Sequence, residues 1–474
     1  MNPALRLLAA CCLLPSAIHL HSEPAPESRQ TELLFFFDAE DYTHPRPANA
    51  LKDLLQLHRE FDIKVHVALV GHLARQIKQW GMKELIDELR HHLVGTQSAY
   101  HTRHPNVLER ADEADYDLAL RQVAEEELPA LQEIASLTGK PCLFAVPPGA
   151  SMSYAAMSLY AENGIRFYCD TVVNDERGGD WHLLNLRHLP YCYAFGLEDL
   201  IPTTDSEPAE LPEARWRDIL ERLAAQPRAL LFLHPCTAVT TEFWDRINFY
   251  PDNLAPFGQW RIPRQRAPAQ TAVYYARIRE LLRRLRADRR FLFPTLEDKL
   301  AAQKPRVPIR LQDAPRIARH LQHGLYPVQT PSWSLADLFW GAVHHLRGKE
   351  GDFFPGRYSA FRTEPVWSRE PLTLSADEIK AAARGLEVGN FLPPSIRLGS
   401  KAIGPGDFLR AAWTLLATER ERVELEPSDP LAAVRLFPDL EHFHPRGNWL
   451  FWARFQDAWC SNRLRWAVWT ARQE

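Results

Sequence analysis

The sequence predicts an α/β domain of parallel strands joined by helical crossovers, followed by a smaller, mainly helical region. Three observations carry this expectation. Short apolar runs rich in Phe, Val and Leu alternate with helix-period segments as far as Leu300. Past the proline-bearing stretch Gln303 to Pro308 the strand-like runs stop and helical spacing takes over. A chain of 474 residues is also too long for one ordinary domain.

In chain order, Met1 to Ser22 places Arg6 before an apolar stretch, Leu7 to Leu20, that ends in a polar segment. This is the pattern of a signal peptide, so the mature chain is expected to be exported to the periplasm, cell envelope or exterior. Leu8-Ala-Ala-Cys11 also has the look of a lipidation box, preceded by an unusually brief apolar run. Strands are expected at Leu33 to Phe37, Val65 to Val70, Leu143 to Val146, Phe167 to Tyr168 and Leu230 to Leu233. Helices are expected between them at Ala48 to Phe61, Met82 to His92, Ala114 to Thr138 and Tyr154 to Asn163. In such an alternation the ligand site lies at the carboxyl ends of the strands. The helical region, 308 to 474, includes Ser334 to His345 and Ala376 to Leu386, each entered through a serine placed to cap it. Its last part, from Trp449 to Trp469, holds five tryptophans at spacings of three and seven, which fit a buried helical stripe better than a sugar-stacking face. No run is long and apolar enough for a transmembrane segment.

Composition narrows the function. Hydrophobic residues at 46% and charged residues at 24% are those of a folded protein. A net charge of -4 offers no field for a phosphate backbone, and Arg277 to Arg290 reads as a solvated helix face, so nucleic acid is not an expected partner. Cys142, Cys169, Cys192, Cys236 and Cys460 show no C-x-x-C spacing, which excludes a zinc knuckle and leaves disulfides and buried thiols both open.

Three strand ends carry chemistry. The first apolar run ends in Asp38-Ala-Glu-Asp41-Tyr-Thr-His44-Pro45, a crowd of carboxylates that raise one another's pKa unless a cation compensates. A base beside a metal is built this way, although an aspartate there also suits a helix cap. After Leu93-Val-Gly95 come Gln97, His101 and His104, the histidines three apart as metal ligands often are. The run ending in Phe232-Leu-His234 delivers another imidazole.

These motifs, in this order, resemble the NodB-type polysaccharide deacetylases, and the tract His234 to Asn248, with Trp244, is similar to one exported bacterial branch. The resemblance implies a distorted (β/α) barrel of the NodB-homology type over residues 30–300. It implies that Asp38 matches the catalytic base and His234 the acid that protonates the leaving group. Asp41, or less readily Glu40, matches the metal-binding carboxylate, and His104-Pro105 the close of the second motif. Pro147-Pro148-Gly149 stands where the third motif lies, and with Trp244 these positions are expected to line the substrate. The stretch Pro394 to Leu409 resembles pseudomurein-binding repeats, which implies wall binding by the helical region.

Two positions depart from the pattern. The register that gives His101 and His104 the family's later histidines puts Gln97 on the first, and an amide oxygen is a weak ligand. The third motif's arginine falls on Ala145. The expected function is a metal-dependent hydrolase that removes acetyl groups from N-acetylated sugars of a polysaccharide or peptidoglycan-like polymer. The expected cofactor is a divalent metal, zinc before cobalt or nickel, held by Asp41, His101, His104 and Gln97. The rival is a non-catalytic glycan-binding or envelope protein on the same fold, left by a degraded site.

Overall fold

A computed structural model describes residues 30–170, 173, 180–190, 193–249, 255–437 and 457–473. The expected signal peptide, Cys192, Trp449 and Trp452 lie outside these residues.

The chain opens with β1 (Thr31–Ala39), whose run Leu33-Leu-Phe-Phe-Phe37 is buried on both faces, as a central parallel strand requires. Then come α1 (Pro45–Glu60), β2 (Val65–Leu69), α2 (Gly71–Gln79), α3 (Lys83–Leu89) and β3 (Leu93–Thr96). Two helices follow, α4 (Val107–Ala111) and α5 (Tyr116–Thr138), the second capped by Asp115 and stopped by Gly139 at φ 77°. Next are β4 (Phe144–Ala145), α6 (Tyr154–Glu162), β5 (Phe167–Asp170), β6 (Trp181–Leu183), β7 (Leu186–Pro190) and β8 (Tyr193–Gly196). The first part ends with α7 (Glu213–Ala224), β9 (Arg228–Leu233), α8 (Trp244–Phe249), α9 (Pro268–Ala287), β10 (Phe291–Leu292) and α10 (Leu296–Ala301).

These strands join one sheet in the order β6-β7-β5-β4-β3-β2-β1-β9-β8, with β10 beside the start of β1. All neighbours run parallel except β6 against β7. The fold class is therefore α/β with a mostly parallel sheet, as expected. The sheet wraps like a barrel, because Leu189 on β7 and Leu230 on β9, distant in the strand order, meet in one inner cluster with Leu34, Phe36, Phe144 and Phe167. Leu296 of α10 belongs to the same cluster. Asp180 draws the two sides together, accepting hydrogen bonds from Arg187 of β7 and Arg228 of β9. The surrounding cations hold its carboxyl below its ordinary range, overcoming the opposite push of burial.

The remaining chain is mainly helical: α11 (Ala314–Gln322), α12 (Leu335–Leu346), α13 (Ala376–Gly385), α14 (Pro405–Thr418) and α15 (Cys460–Ala467). Ser334 and Ser375 do cap α12 and α13, through capping boxes with Asp337 and Glu378. Two small antiparallel ribbons accompany the helices, β11 (Leu372–Ser375) with β14 (Arg422–Leu425) and β12 (Ile396–Leu398) with β13 (Lys401–Ile403). The repeat-like stretch Pro394 to Leu409 thus covers the second ribbon and the first turn of α14.

The helical part packs against the first part along several contacts. A last strand, β15 (Arg472–Gln473), pairs antiparallel with β6 and extends the main sheet. Leu184 N donates to Thr470 Oγ1 at 2.7 Å, Asn185 donates to Tyr358 O at 3.0 Å, and Trp459 N donates to Asp112 Oδ1 at 2.7 Å. The Trp181 and Phe437 rings meet edge to face at 4.8 Å, within a hydrophobic core that runs unbroken from Leu33 to Ala471. Trp466 and Trp469 are buried in it, whereas Trp459 is exposed. Cys142, Cys169, Cys236 and Cys460 are buried, and Cys142, Cys236 and Cys460 are free thiols. Arg277 departs from the solvated face expected of its helix: it is buried and bonds Leu200 O, Glu207 and Pro208 O. Among the described residues no helix is long and apolar enough to cross a membrane.

Candidate functional site

The twofold period of β1 decides which of its terminal carboxylates enter the barrel. Leu34 and Phe36 belong to the inner cluster and Phe35, Phe37 and Ala39 to the outer one. The even-numbered face, continued past the strand, carries Asp38 and Glu40 inward. On β9 the same parity takes Leu230, beside the partly buried Phe232, to His234. Side chains from three places then converge. Glu40 Oε2 lies 2.6 Å from His101 Nε2, and Glu40 Oε1 lies 3.4 Å from His234 Nε2. Asp38 Oδ2 is 3.8 Å from the same His234 nitrogen. Asp38, His101 and His234 are thus brought together at the strand ends.

Two further carboxylates complete the group, and both come from turns rather than from strand ends. Asp245, in the first turn of α8, places Oδ2 3.4 Å from His101 Nδ1 and accepts from Thr102 Oγ1 at 3.1 Å. Glu198, in a short 3-10 turn after β8, accepts from His234 N at 3.0 Å and contacts His234 Nδ1 at 2.8 Å. Asp245 stands next to Trp244 in the tract that carried the resemblance, which gave it no role.

Glu40, His101 and Asp245 are buried, and one ligand atom from each lies within 4.8 Å of the others. This trio could hold a metal ion. The donor set fits: Glu40 and Asp245 are buried carboxylates gathered about the His101 imidazole, and imidazole with carboxylate suits zinc or a similar divalent ion. The carboxylates outnumber the imidazoles, so the group is short of positive charge.

Its electrostatics follow from that shortage. Burial alone would lower the pKa of His101, but the charges of Glu40 and Asp245 overcome it and raise it to about 9. His234 behaves alike: burial pushes down, Glu40, Glu198 and Asp38 push up, and the result is about 10. Burial lifts Glu40, but the two imidazoles hold it below its ordinary value. Asp245 is raised by burial and by Glu40, against its bond to His101.

The ligand set differs from the expected one. Asp41 is buried outside the trio, its Oδ1 accepting from Thr43 N at 2.9 Å and Thr43 Oγ1 at 2.6 Å. Burial raises its pKa to about 7, with Glu40 and Asp245 adding to the push. His104 is turned to Glu109, with Nδ1 2.9 Å from Oε1. Gln97 is buried, its N donating to Leu69 O and its Oε1 without a hydrogen-bond partner. Ala145 lies buried in β4, where no cation faces Asp38 from that position. Pro147 and Pro148 are buried and Gly149 is exposed, in a short turn after β4. Trp244, expected against substrate, is wholly buried instead, its ring 4.5 Å from Tyr42 and 5.9 Å from His101. It walls the trio.

No protein-family model and no curated protein matches the chain. Solved structures share part of its path. A Mycobacterium smegmatis protein described as a polysaccharide deacetylase aligns at 15% identity and TM-score 0.37, over 61% of this chain and 96% of its own. A Pseudomonas aeruginosa protein described in the same way aligns at 12% and 0.37, over 57% and 90%. A 4-alpha-glucanotransferase of Thermococcus litoralis aligns at 13% and 0.38, over 68% and 47%. Likeness at this level leaves the chemistry to the side chains.

Proposed function

We propose that the chain is an exported, metal-dependent hydrolase that removes acetyl groups from N-acetylated sugars of an envelope polymer. The observation that carries the reading is the buried Glu40, His101 and Asp245 trio with Asp38 and His234 on its edge. A divalent ion held by the trio would supply a Lewis acid for the acyl oxygen. Asp38 takes a proton from the attacking water as the oxygen bonds to the acyl carbon. His234, aligned by Glu198, gives a proton to the departing amine as the C–N bond breaks. Acetate and a free amino sugar result.

A second reading has its own observation. His101 and Glu40 already touch at 2.6 Å, and Glu40 and Asp245 are at most 1% exposed, which suits an ion pair that has taken the place of a metal in a glycan-binding protein. Metal content and acetate release from an N-acetylglucosamine oligomer decide between them. Zinc or cobalt at one equivalent, with acetate release abolished in Asp38→Asn, supports the hydrolase. Metal-free protein that binds the oligomer and releases no acetate overturns it.

A further inference from the structure

A chain of aromatic contacts leads from the trio to the surface. Trp244, beside His101, meets Tyr42 at 4.5 Å; Tyr42 meets Trp260 at 5.0 Å; Trp260 meets Phe257 at 5.1 Å. Phe257 ends the series with 52% of its surface exposed. This ring meets that of Tyr100 edge to face at 6.0 Å, and Arg103 lies against both, its guanidinium carbon 5.3 Å from the Phe257 centroid and 5.2 Å from that of Tyr100. Arg103 is two residues from His101, so the same short loop carries both.

The guanidinium is held but not neutralised. Among the described residues its side chain makes no hydrogen bond and no ion pair within 4.0 Å. The acid whose charge it feels, Glu126, is already paired with Arg110 at 2.6 Å. The ring faces fix the cation and leave its N–H edge available, and that edge matches a carboxylate in two parallel hydrogen bonds. Beside it, the exposed ring of Phe257 offers the apolar face on which a sugar's C–H surface packs.

We propose that Arg103, Tyr100 and Phe257 form a subsite for a carboxylate-bearing sugar of the polymer, next to the residue being deacetylated. The inference rests on the hydrolase reading for its location, and names an acidic glycan as the substrate class. Binding, not turnover, tests it. Full-length Asp38→Asn protein is titrated with a tetrasaccharide of alternating N-acetylglucosamine and N-acetylmuramic acid, and with the neutral N-acetylglucosamine tetramer. Tighter binding of the acidic ligand, weakened by added salt, is expected, with a loss of roughly tenfold or more in Arg103→Ala. Arg103→Lys, which keeps the charge and the packing stem, should retain part of the preference. Phe257→Ala, an exposed change, should weaken both ligands. Equal affinity for the two tetrasaccharides, no binding of either, or an Arg103→Lys protein of native melting temperature that binds neutral and acidic ligands as the parent does, overturns the proposal. Acetate release is scored separately in protein that keeps Asp38, so binding through Arg103 with no release there would defeat the hydrolase and leave the subsite standing.

Discussion

Glu40 and Asp245, not Asp41, are the carboxylates that a metal would meet, and substitution separates them. Glu40→Gln and Asp245→Asn should each lower zinc affinity by roughly 100-fold, while Asp41→Asn, whose oxygen keeps its bonds from Thr43, should change it little. Competition against a chelating dye measures all three, and a large loss in Asp41→Asn alone would return the site to the expected set. Asp38, His101 and His234 were legible in the sequence because each follows an apolar run, and a strand delivers whatever ends it. The choice between Glu40 and Asp41 was legible too, by counting parity from Phe36, but crowding of acids hid the count. Asp245 and Glu198 were not, because a helix turn and a 3-10 turn bring them in from chain positions that no local period marks. A different histidine gives a pH prediction. His66 is buried between Phe35 O and Leu296 N, and burial lowers its pKa from 6.5 to about 4. The unfolded chain therefore binds the extra proton first: this contribution is intact above 6.5 and is lost as pH falls towards 4. The melting temperature should drop across that window, and less steeply in His66→Gln.

At the scale of elements, the loop that carries Gln97 and His101 is set by β3 and α5. Gly95 on β3 allows β4 to approach, because a Cβ there would lie 2.3 Å from Phe144 O and 2.7 Å from the Phe144 ring. Gly95→Ala should cost about 1–3 kcal/mol by overpacking, measured by denaturant titration, and an unchanged midpoint would mean that the two strands can part freely. From α5, Glu127 holds the same loop, accepting from Ala99 N at 2.9 Å and from Tyr160 OH at 2.6 Å. Long elements such as α1 and α5 were readable from period and caps. The strands β6, β7 and β8 were not, since two of them span three or four residues and none is flanked by a helix that would announce it. Nor was α2, which begins at Gly71 directly after β2 with no side-chain cap.

For the whole molecule, the proline-bearing stretch Gln303 to Pro308 precedes the mainly helical part of the chain, whose rings pack against the first part. The sequence shows where helical spacing begins, but not that Trp181 and Tyr116 on one side await Phe437 and Phe391 on the other. Cutting the chain after Leu300 should uncover those rings, and size-exclusion chromatography should find aggregates; a monomeric, folded fragment would show that the first part folds without them. The pairing of β15 with β6 has a further consequence, in time rather than in space. Arg472 and His182 are partners across almost the whole intervening chain, so this edge of the sheet can close only after everything between has been made and folded around it. The edge of β6 stays open to other strands for that interval, which makes slow synthesis or a missing tail a route to aggregation rather than to a smaller active protein.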